Sequence, residues 1–449
     1  MPGLIGSDEF RRVAGAALEL PGVDGVEVLF LHEWGGLTRF AKNEIHQSTA
    51  QEDTGLRVRV VTKDRVAVAA ANDFSLEGAR RAAESAKEMA EVVAPDPLWP
   101  GLAPPAPISP PGVFDEATAS ASPEQRAEGV ATLVAQCANG ATAAGAYETR
   151  SIEIGVANSE GQLCWAPWTQ ASLTTVVSGG DQGSGFAETF AGDAAAIDPE
   201  AIGKRAATKA ESSKNPKPLD PGAYVVVLEP AAVATLVSFL GYMGFNGRFL
   251  IEGRSCFSGK EGASVAAPSV SIWDDATDPG TLGIPFDFEG VPHRRVDLIR
   301  DGEFVDAVYD LRTARQAGKE TTGNGLPQPN PEGPFPLNLF LGTGDASVED
   351  MVAATERGVL VTRFHYSNVV NPVESSLTGM TRDGTFLIEN GEIAGPVMNF
   401  RFTQSILEAL SDVSMIGRDA ELASEFFFSA SCVPALKVEK FNFSGRSDH

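Results

Sequence analysis

The 449-residue sequence predicts an α+β fold, because helical signals concentrate before Pro221 and hairpin signals concentrate after it. Amphipathic segments that follow capping residues dominate the first half. In the second half, residues 300–303 and 389–392 contain Asp-Gly and Asn-Gly pairs, each preceded by leucine or isoleucine, which is typical of a β-hairpin. We therefore predict an N-terminal α/β domain with a mixed sheet and a C-terminal, antiparallel, β-rich and barrel-like domain.

Two proline-rich stretches organise the chain. The stretch at residues 214–221 is the clearest domain boundary, so we place the N-terminal domain at residues 1–215 and the C-terminal domain at residues 216–449. The stretch at residues 95–112 contains eight prolines and is expected to be stiff and extended. We interpret it as a strap across the surface, because the segment after it continues the same α/β pattern.

Four capped helices are predicted in the N-terminal half, and the first is capped by Ser7 and runs to Leu20. Ser75 precedes an amphipathic segment that ends near residue 93. Ser122 begins Ser-Pro-Glu-Gln, which combines a capping box with proline at the first helical position, and Asp198 precedes Pro-Glu in the same way. Strands are predicted at residues 26–31, 57–61, 149–157, 162–165 and 172–177.

The C-terminal half begins with an apolar strand at residues 224–228. The apolar run that follows, residues 231–245, is shorter than the ~18–20 residues of a membrane span and is expected to form a buried helix. Further strands are predicted at residues 358–362, 385–388 and 435–438, with a helix near residues 404–410.

The composition is that of an ordinary globular protein, with 43% hydrophobic residues and a formal net charge of −25. Because phosphate binding needs a basic surface, this charge argues against nucleic acid as a partner. The four cysteines are scattered, which indicates neither a disulfide framework nor a zinc knuckle and suits a reducing cytosol. The first residues show no signal-peptide pattern. We expect a cytoplasmic protein with no membrane partner.

Several motifs occur in a distinctive order. Residues 38–47 read Thr-Arg-Phe-Ala-Lys-Asn-Glu-Ile-His-Gln, and residues 286–293 read Phe-Asp-Phe-Glu-Gly-Val-Pro-His. Tyr-Asp-Leu-Arg-Thr-Ala-Arg follows at 309–315 and Thr-Thr-Gly-Asn-Gly at 321–325. In this order and spacing the motifs resemble the TldD/PmbA family of two-subunit proteases. The resemblance extends over residues 38–438 and implies the two-domain architecture described above.

The resemblance bears directly on zinc. In this family the TldD-type subunit carries zinc on an HExxxH helix, whereas the PmbA (TldE)-type subunit carries none. Our alignment places Ser238, Phe239 and Met243 at the three motif positions. None of these side chains is a zinc ligand or a general base for hydrolysis. The resemblance therefore implies a chain with no catalytic residue, no metal and no cofactor of its own, the zinc being held by the partner subunit.

The candidate binding residues lie at the end of a strand, in Arg-Phe-His-Tyr-Ser-Asn-Val-Val-Asn-Pro at residues 363–372. This segment resembles the late strand of the family that ends in Asn-Pro, near which the peptide groove is expected. We predict that Arg363, His365, Tyr366 and Asn371 contact peptide or partner. A loop histidine that is satisfied by a neighbouring group is the open alternative for His365.

Other metal-ligating residue types are isolated. His32 precedes Glu33 but has no second histidine a helical turn later. His46 is expected to be a surface or interface residue, and His293 a structural or solvent-facing one. Cys432 lies late in the chain, as a third zinc ligand of the family does, but we interpret it as a small core residue.

The sequence favours the non-metal subunit of a heterodimeric TldD–TldE zinc metalloprotease that degrades or matures unfolded peptides. The chain would complete the substrate tunnel and bind extended peptide, while a glutamate of the partner activates a zinc-bound water. The alternative is a homodimeric, non-catalytic peptide-binding or scaffold protein of the same fold. A third hypothesis is a self-sufficient peptidase with a metal site that uses His365 and Cys432. Whether the chain is an enzyme by itself is left open.

Overall fold

Two β-sheets form the framework of the protein. The computed structural model describes residues 4–109, 112–137, 140–281, 283–423 and 430–447. A six-stranded sheet belongs to the first half of the chain and an eleven-stranded sheet to the second half. The predicted α+β class is confirmed.

The N-terminal sheet is antiparallel throughout, with the strand order β3-β2-β1-β4-β5-β6. Its strands are β1 (Gly25–Ala41), β2 (Glu44–Thr62), β3 (Arg65–Ala71), β4 (Thr142–Asn158), β5 (Leu163–Gly180) and β6 (Gly183–Ala191).

The prediction of a mixed N-terminal sheet is therefore wrong, and the turns explain why. Two-residue turns at residues 42–43, 63–64 and 181–182 join β1 to β2, β2 to β3 and β5 to β6, and all six residues have positive φ. Such turns match the twist of antiparallel strands. A parallel pair needs a crossover of about a dozen residues or more. Only the connection from β3 to β4 is that long, and those two strands are not neighbours.

Helices cover one face of this sheet, in two buried clusters. Three predicted caps are confirmed: the side chains of Ser75, Ser122 and Asp198 each accept a hydrogen bond from the first turn of the helix that follows. The predicted cap at Ser7 is wrong, because Ser7 is the first residue of its helix and the N-cap is Gly6, which has no side chain to accept a hydrogen bond. The helices are α1 (Ser7–Leu18), α2 (Leu76–Val92), α3 (Glu116–Ala119), α4 (Pro123–Val134) and α5 (Pro199–Ser212).

The proline-rich segment after α2 runs against the same sheet. The Asn158 side-chain amide donates to the carbonyl of Ala103 at 2.8 Å, and the backbone N–H of Ala106 donates to the Gln162 side chain at 3.1 Å. Its last two prolines lie outside the described residues. These bonds satisfy the carbonyl of Ala103 and the N–H of Ala106, which lie between prolines and outside any strand.

The C-terminal sheet follows the order β10-β9-β8-β11-β17-β15-β13-β12-β7, with β14 on β13 and β16 on β17. Its strands are β7 (Gly222–Leu228), β8 (Ile272–Asp274), β9 (Val296–Arg300), β10 (Glu303–Phe304), β11 (Asn338–Leu341), β12 (Arg357–Asn371), β13 (Ser376–Glu389), β14 (Glu392–Pro396), β15 (Phe400–Ser405), β16 (Val413–Ala423) and β17 (Ala430–Arg446). The helices of this half are α6 (Pro230–Met243), α7 (Gly247–Ile251), α8 (Leu311–Ala317), α9 (Val348–Ala353) and α10 (Ile406–Ser411).

Strands β7, β12, β13, β15 and β17 close into a ring, because β17 also pairs with β7. The barrel-like prediction is confirmed. The sheet is mixed rather than antiparallel, since β7–β12 and β11–β17 are parallel pairs. The long chain segment between β7 and β12 allows the return that a parallel pair requires. A buried group of aromatic rings fills this region, with centroids 4.5–5.5 Å apart in Phe364, Phe400, Phe402, Phe441 and Phe443.

The second face of the N-terminal sheet packs on the C-terminal half. Leu29 of β1 and Ile154 and Val156 of β4 form one buried cluster with Phe286 and Phe288. The two phenylalanines belong to the Phe-Asp-Phe-Glu-Gly motif, so this motif lies at the junction of the two halves.

An ion pair network is buried at the same junction. Arg59 of β2 donates to Glu27 of β1 at 2.6 Å and to Glu289 at 3.0 Å, and the three side chains are no more than 5% exposed. Burial by itself lowers the pKa of Arg59, but the negative charges of Glu27 and Glu289 raise it by more. The guanidinium therefore stays charged.

The first prediction concerns this network. Arg59→Met should lower the free energy of unfolding by about 3–5 kcal/mol, because it leaves two buried carboxylates without a counter-charge. The exposed Arg81, which also pairs with two acidic residues, is the matched control, and Arg81→Met should change the stability by less than about 1 kcal/mol. Urea unfolding followed by circular dichroism measures both. Equal losses in the two variants would contradict a structural role for the buried network.

Candidate functional site

Helix α6 lies where the sequence places the zinc helix. Pro230 occupies its first turn, and most of its residues are buried against β12, β17, β11 and β16. Its sequence contains no histidine, cysteine, aspartate or glutamate.

In the described part of the chain, no helix is both long and apolar enough to cross a membrane.

The three residues that our alignment places at the motif positions make core contacts. Ser238 is 2% exposed, and its Oγ lies 3.1 Å from Oγ of Ser431 on β17. Phe239 and Met243 are buried in the hydrophobic core. Zinc needs about three nitrogen, sulfur or oxygen ligands, so these residues do not fit a zinc ion.

Cys432 faces away from α6. Consecutive side chains on a strand point to opposite faces, so Cys432 points away from the Ser238 contact made by Ser431. Burial raises the pKa of the Cys432 thiol, and the charge of Asp278 raises it further. The thiol is therefore protonated at neutral pH in the chain without a metal.

The histidines of the described residues do not form a metal site. His32 is buried, with Nδ1 2.8 Å from the hydroxyl of Thr54, and His46 is exposed on β2. Among the described residues, no three histidine, cysteine, aspartate or glutamate side chains group together in a way that could hold a metal ion. The zinc-free character of the chain stays a prediction.

Arg363 joins the two halves of the molecule. Its guanidinium donates to Asp383 of β13, with Nε 2.7 Å from the carboxylate. Its Cζ lies 4.1 Å from the ring centre of Phe186 on β6. Ser184 of β6 donates to the same aspartate. The side chain is thus occupied by structural contacts, and a direct contact with peptide stays a prediction.

His365 lies half-buried on β12. Burial lowers the pKa of its imidazole, and the positive charges of Arg363 and Arg382 lower it further, against the opposing charge of Asp383. The ring is therefore neutral at pH 7 and can donate or accept a hydrogen bond.

Tyr366 and Asn371 lie on the part of β12 that extends beyond its pairing with β7. Tyr366 is 77% exposed, and its φ of 55° falls at a bulge in the pairing of β12 with β13. The Asn371 side chain accepts from the backbone N–H of Val373 at 3.1 Å and so stabilises the hairpin tip. Val370 is 55% exposed beside them.

This projecting part has a free edge. β7 pairs with β12 only at residues 358–361, whereas β13 pairs with β12 as far as residue 371. Along residues 363–371, no strand of the described chain pairs with the other edge of β12. The four predicted binding residues therefore share one strand whose backbone can accept another strand.

A groove of about 800 Å³ separates the two halves near this strand. Phe186, Leu360 and Phe386 contribute apolar surface to it. Two ion pairs, Lys209 with Glu229 and Arg205 with Glu421, join α5 to the C-terminal half along its wall. Sequence reasoning missed this groove, because its residues come from eight separate elements and carry no local motif.

His293 lies buried in the loop that follows the Phe-Asp-Phe-Glu-Gly motif. It is 5% exposed, and neither ring nitrogen has a hydrogen-bond partner among the described residues. Burial lowers the pKa of His293 to about 4, although the charge of Asp275 opposes this shift. The residue is structural, which is one of the two expectations from the sequence.

The second prediction is an acid-induced loss of stability. The folded-state pKa of His293 is about 4 against an ordinary value of 6.5, so unfolding is coupled to proton uptake. The contribution of His293 is complete above pH 6.5 and is lost as the pH falls toward 4, by about 3 kcal/mol in total. His293→Leu should flatten the dependence of unfolding free energy on pH, whereas His46→Leu should not. An unchanged acid slope in His293→Leu would contradict the assignment.

Family models match almost the whole chain. The model described as PmbA/TldA metallopeptidase C-terminal domain matches residues 221–445. Domain 1 of the same family matches residues 26–90, and its central domain matches residues 114–214. The chain belongs to the PmbA/TldD family. The resemblance noted in the sequence is thereby confirmed.

Individual relatives agree with this assignment. The chain is 25% identical to the metalloprotease PmbA of Escherichia coli O157:H7 over 95% of each chain. It is 31% identical to a metalloprotease TldD homologue of Haemophilus influenzae, over 40% of this chain and 37% of that one. The first relatives found are thus matched over less than two thirds of their length. The crystal structure of TldE from Thermococcus kodakarensis has the same fold, with a TM-score of 0.87 and 23% identity over 98% of this chain and 99% of that one.

Proposed function

We propose that this PmbA/TldD-family chain is the zinc-free subunit of a TldD–TldE-type metalloprotease that degrades or matures unfolded peptides. The observation that carries the proposal is α6, where Ser238, Phe239 and Met243 stand at the zinc-motif positions and Ser238 bonds to Ser431 inside the core. A helix without imidazole or carboxylate side chains offers neither a zinc ligand nor a general base.

In this proposal the chain supplies binding and the partner supplies chemistry. The partner's zinc would polarise the peptide bond and activate water. An extended peptide would pair with the free edge of β12, through main-chain hydrogen bonds that are indifferent to sequence. Tyr366 and Asn371 would contact the peptide, His365 would provide a neutral hydrogen-bonding group, and Arg363 would hold β12 in position through Asp383.

The third prediction concerns metal and activity. Chain expressed alone with zinc, and never exposed to chelator, should contain almost no zinc by plasma mass spectrometry. Hydrolysis of an unstructured peptide should appear only after a TldD-type subunit with an HExxxH helix is added, since that helix carries the ligands and the base.

Two results would overturn this assignment. About one zinc per chain, lost in His365→Ala or Cys432→Ala, would indicate a self-sufficient peptidase. Peptide binding by a homodimer, with no hydrolysis in the presence of the zinc-bearing subunit, would indicate a binding or scaffold protein.

The fourth prediction locates the peptide. Tyr366→Ala should weaken binding of a labelled unstructured peptide about fivefold, because it removes about 1 kcal/mol of aromatic packing. Tyr366→Phe keeps the ring and is the matched control, with affinity near that of the wild type. Fluorescence anisotropy measures both.

Backbone pairing has its own signature. N-methylation of alternate residues in the peptide should weaken binding for the set that faces β12 and spare the other set, since only one set donates hydrogen bonds to the edge. Equal effects of both sets would argue against strand addition.

A further inference from the structure

An ion pair marks the deep end of the groove between the two halves. Lys209 of α5 pairs with Glu229, and these side chains are 14% and 21% exposed, whereas Arg205 and Glu421 of the second pair are 39% and 45% exposed. Lys209 and Glu229 both line the groove. An ammonium group that is mostly withdrawn from water attracts an anion more strongly than an exposed one. The deep end is therefore suited to the negative group of a ligand.

The same end of the groove contains the start of α6. Strands β7 and β12 are parallel, with Leu228 opposite Val361, and α6 begins two residues after Leu228. Pro230 and Ala231 of its first turn line the groove. The backbone N–H groups of a first turn have no partner inside the helix, and they favour an anion. Within the described chain, the Glu229 side chain makes no capping bond to this turn, which leaves it open to another acceptor.

A buried hydroxyl without a partner lies at the same place. Thr362 of β12 lines the groove and is 2% exposed, and its Oγ1 has no hydrogen-bond partner among the described residues. A Cβ on Gly384 would lie 2.5 Å from this Oγ1 and 3.0 Å from Cγ and Cδ of Lys209, so the hydroxyl and the lysine stem lie side by side. An unpaired buried hydroxyl costs free energy, so Thr362 points to a ligand that accepts its hydrogen bond.

We propose that the groove binds a free aliphatic carboxylate of the fatty-acid type. The carboxylate accepts hydrogen bonds from the Lys209 ammonium, from the Thr362 hydroxyl and from the first turn of α6. It replaces Glu229 as the counter-ion of Lys209, and Glu229, which is already partly exposed, turns toward the solvent. Charge-assisted hydrogen bonds are about twice as strong as neutral ones, so donors from three elements hold one negative group firmly.

The walls of the groove favour an acyl chain over the end of a peptide. Phe186, Leu360 and Phe386 contribute apolar side chains, and the volume of about 800 Å³ is typical of a small-molecule site. A peptide against these side chains would bury amide groups that they cannot pair, which costs free energy, whereas an acyl chain has no such groups. The groove therefore matches a ligand with one charged end and an apolar body.

The remaining charges of the lining oppose this ligand only weakly. Glu188 is partly exposed, and Glu349 and Lys204 are exposed, so water and salt screen all three. Binding of the carboxylate does not depend on the zinc-free role proposed above, because it involves neither the motif positions of α6 nor the free edge of β12.

Isothermal titration calorimetry of the full chain tests the fifth prediction. Decanoate should bind about tenfold more tightly than octanoate, because two further methylenes are buried. 1-Octanol should bind about tenfold more weakly than octanoate, since it has the same chain length but no negative charge for the donors at the deep end.

Thr362→Val separates binding from folding. It should weaken decanoate binding about tenfold, since it removes one donor to a charged group. The urea midpoint of the ligand-free variant should be no lower than that of the wild type, because the hydroxyl has no partner to lose. Lys209→Met should reduce binding below detection. Lys214→Met is the matched control, because Lys214 pairs with Glu211 and does not line the groove, and it should bind decanoate like the wild type.

Four results would overturn the proposal. They are a wild-type chain that binds neither carboxylate, equal affinities for octanoate and 1-octanol, wild-type affinity in Thr362→Val, and equal losses in Lys209→Met and Lys214→Met. An unstructured peptide with a free C-terminal carboxylate that binds more tightly than decanoate, and loses affinity in Thr362→Val, would assign the groove to peptide instead. The metal and hydrolysis measurements would be unaffected by any of these results.

Discussion

The buried contact of Arg59 with Glu27 and Glu289 is the constraint on which the arrangement of the two halves depends. A guanidinium taken out of water needs opposite charges and hydrogen-bond partners. Here one carboxylate comes from each half, while Nε of Arg59 has no hydrogen-bond partner among the described residues. Glu289 also accepts from the backbone N–H of Leu311, and the nearby Asp287 accepts from Gly325. One charged cluster therefore orders the loop that packs on the N-terminal sheet.

The packing of α6 explains how the fold holds this helix in place although the helix has no metal-ligating side chain. α6 is bound on several sides by strands of the C-terminal sheet, so its position does not depend on a metal. Ser238 and Ser431 satisfy each other's hydroxyls in a buried site, where an unpaired polar group would cost free energy. Family membership thus describes the scaffold, whereas chemistry depends on the side chains at a few positions.

The treatment of strand edges distinguishes the two halves. Closure of β17 onto β7 removes edges from the ring of strands, as barrels do. Within the described chain, the end of β12 in the C-terminal half and the middle of β2 in the N-terminal half each lack a partner strand on one edge. They differ in chemistry. The β12 stretch has an exposed tyrosine and a neutral histidine, whereas the β2 stretch is polar and acidic. The proposed peptide site is the first of these stretches.

The sequence by itself determined the local elements, the family and the residues of α6. Capping at Ser75, Ser122 and Asp198 was readable because a cap depends on neighbours within one turn. Whether each sheet is parallel, antiparallel or mixed could not be read from the sequence. Strand partners such as β7 and β12 lie far apart in the chain, so their pairing does not depend on neighbouring residues. Likewise, the place of Arg363 at a strand end predicts a binding residue, but only the tertiary structure brings it to Phe186 and Asp383. The groove and the open edge of β2 were also invisible in the sequence, because each is defined by where a distant strand stops.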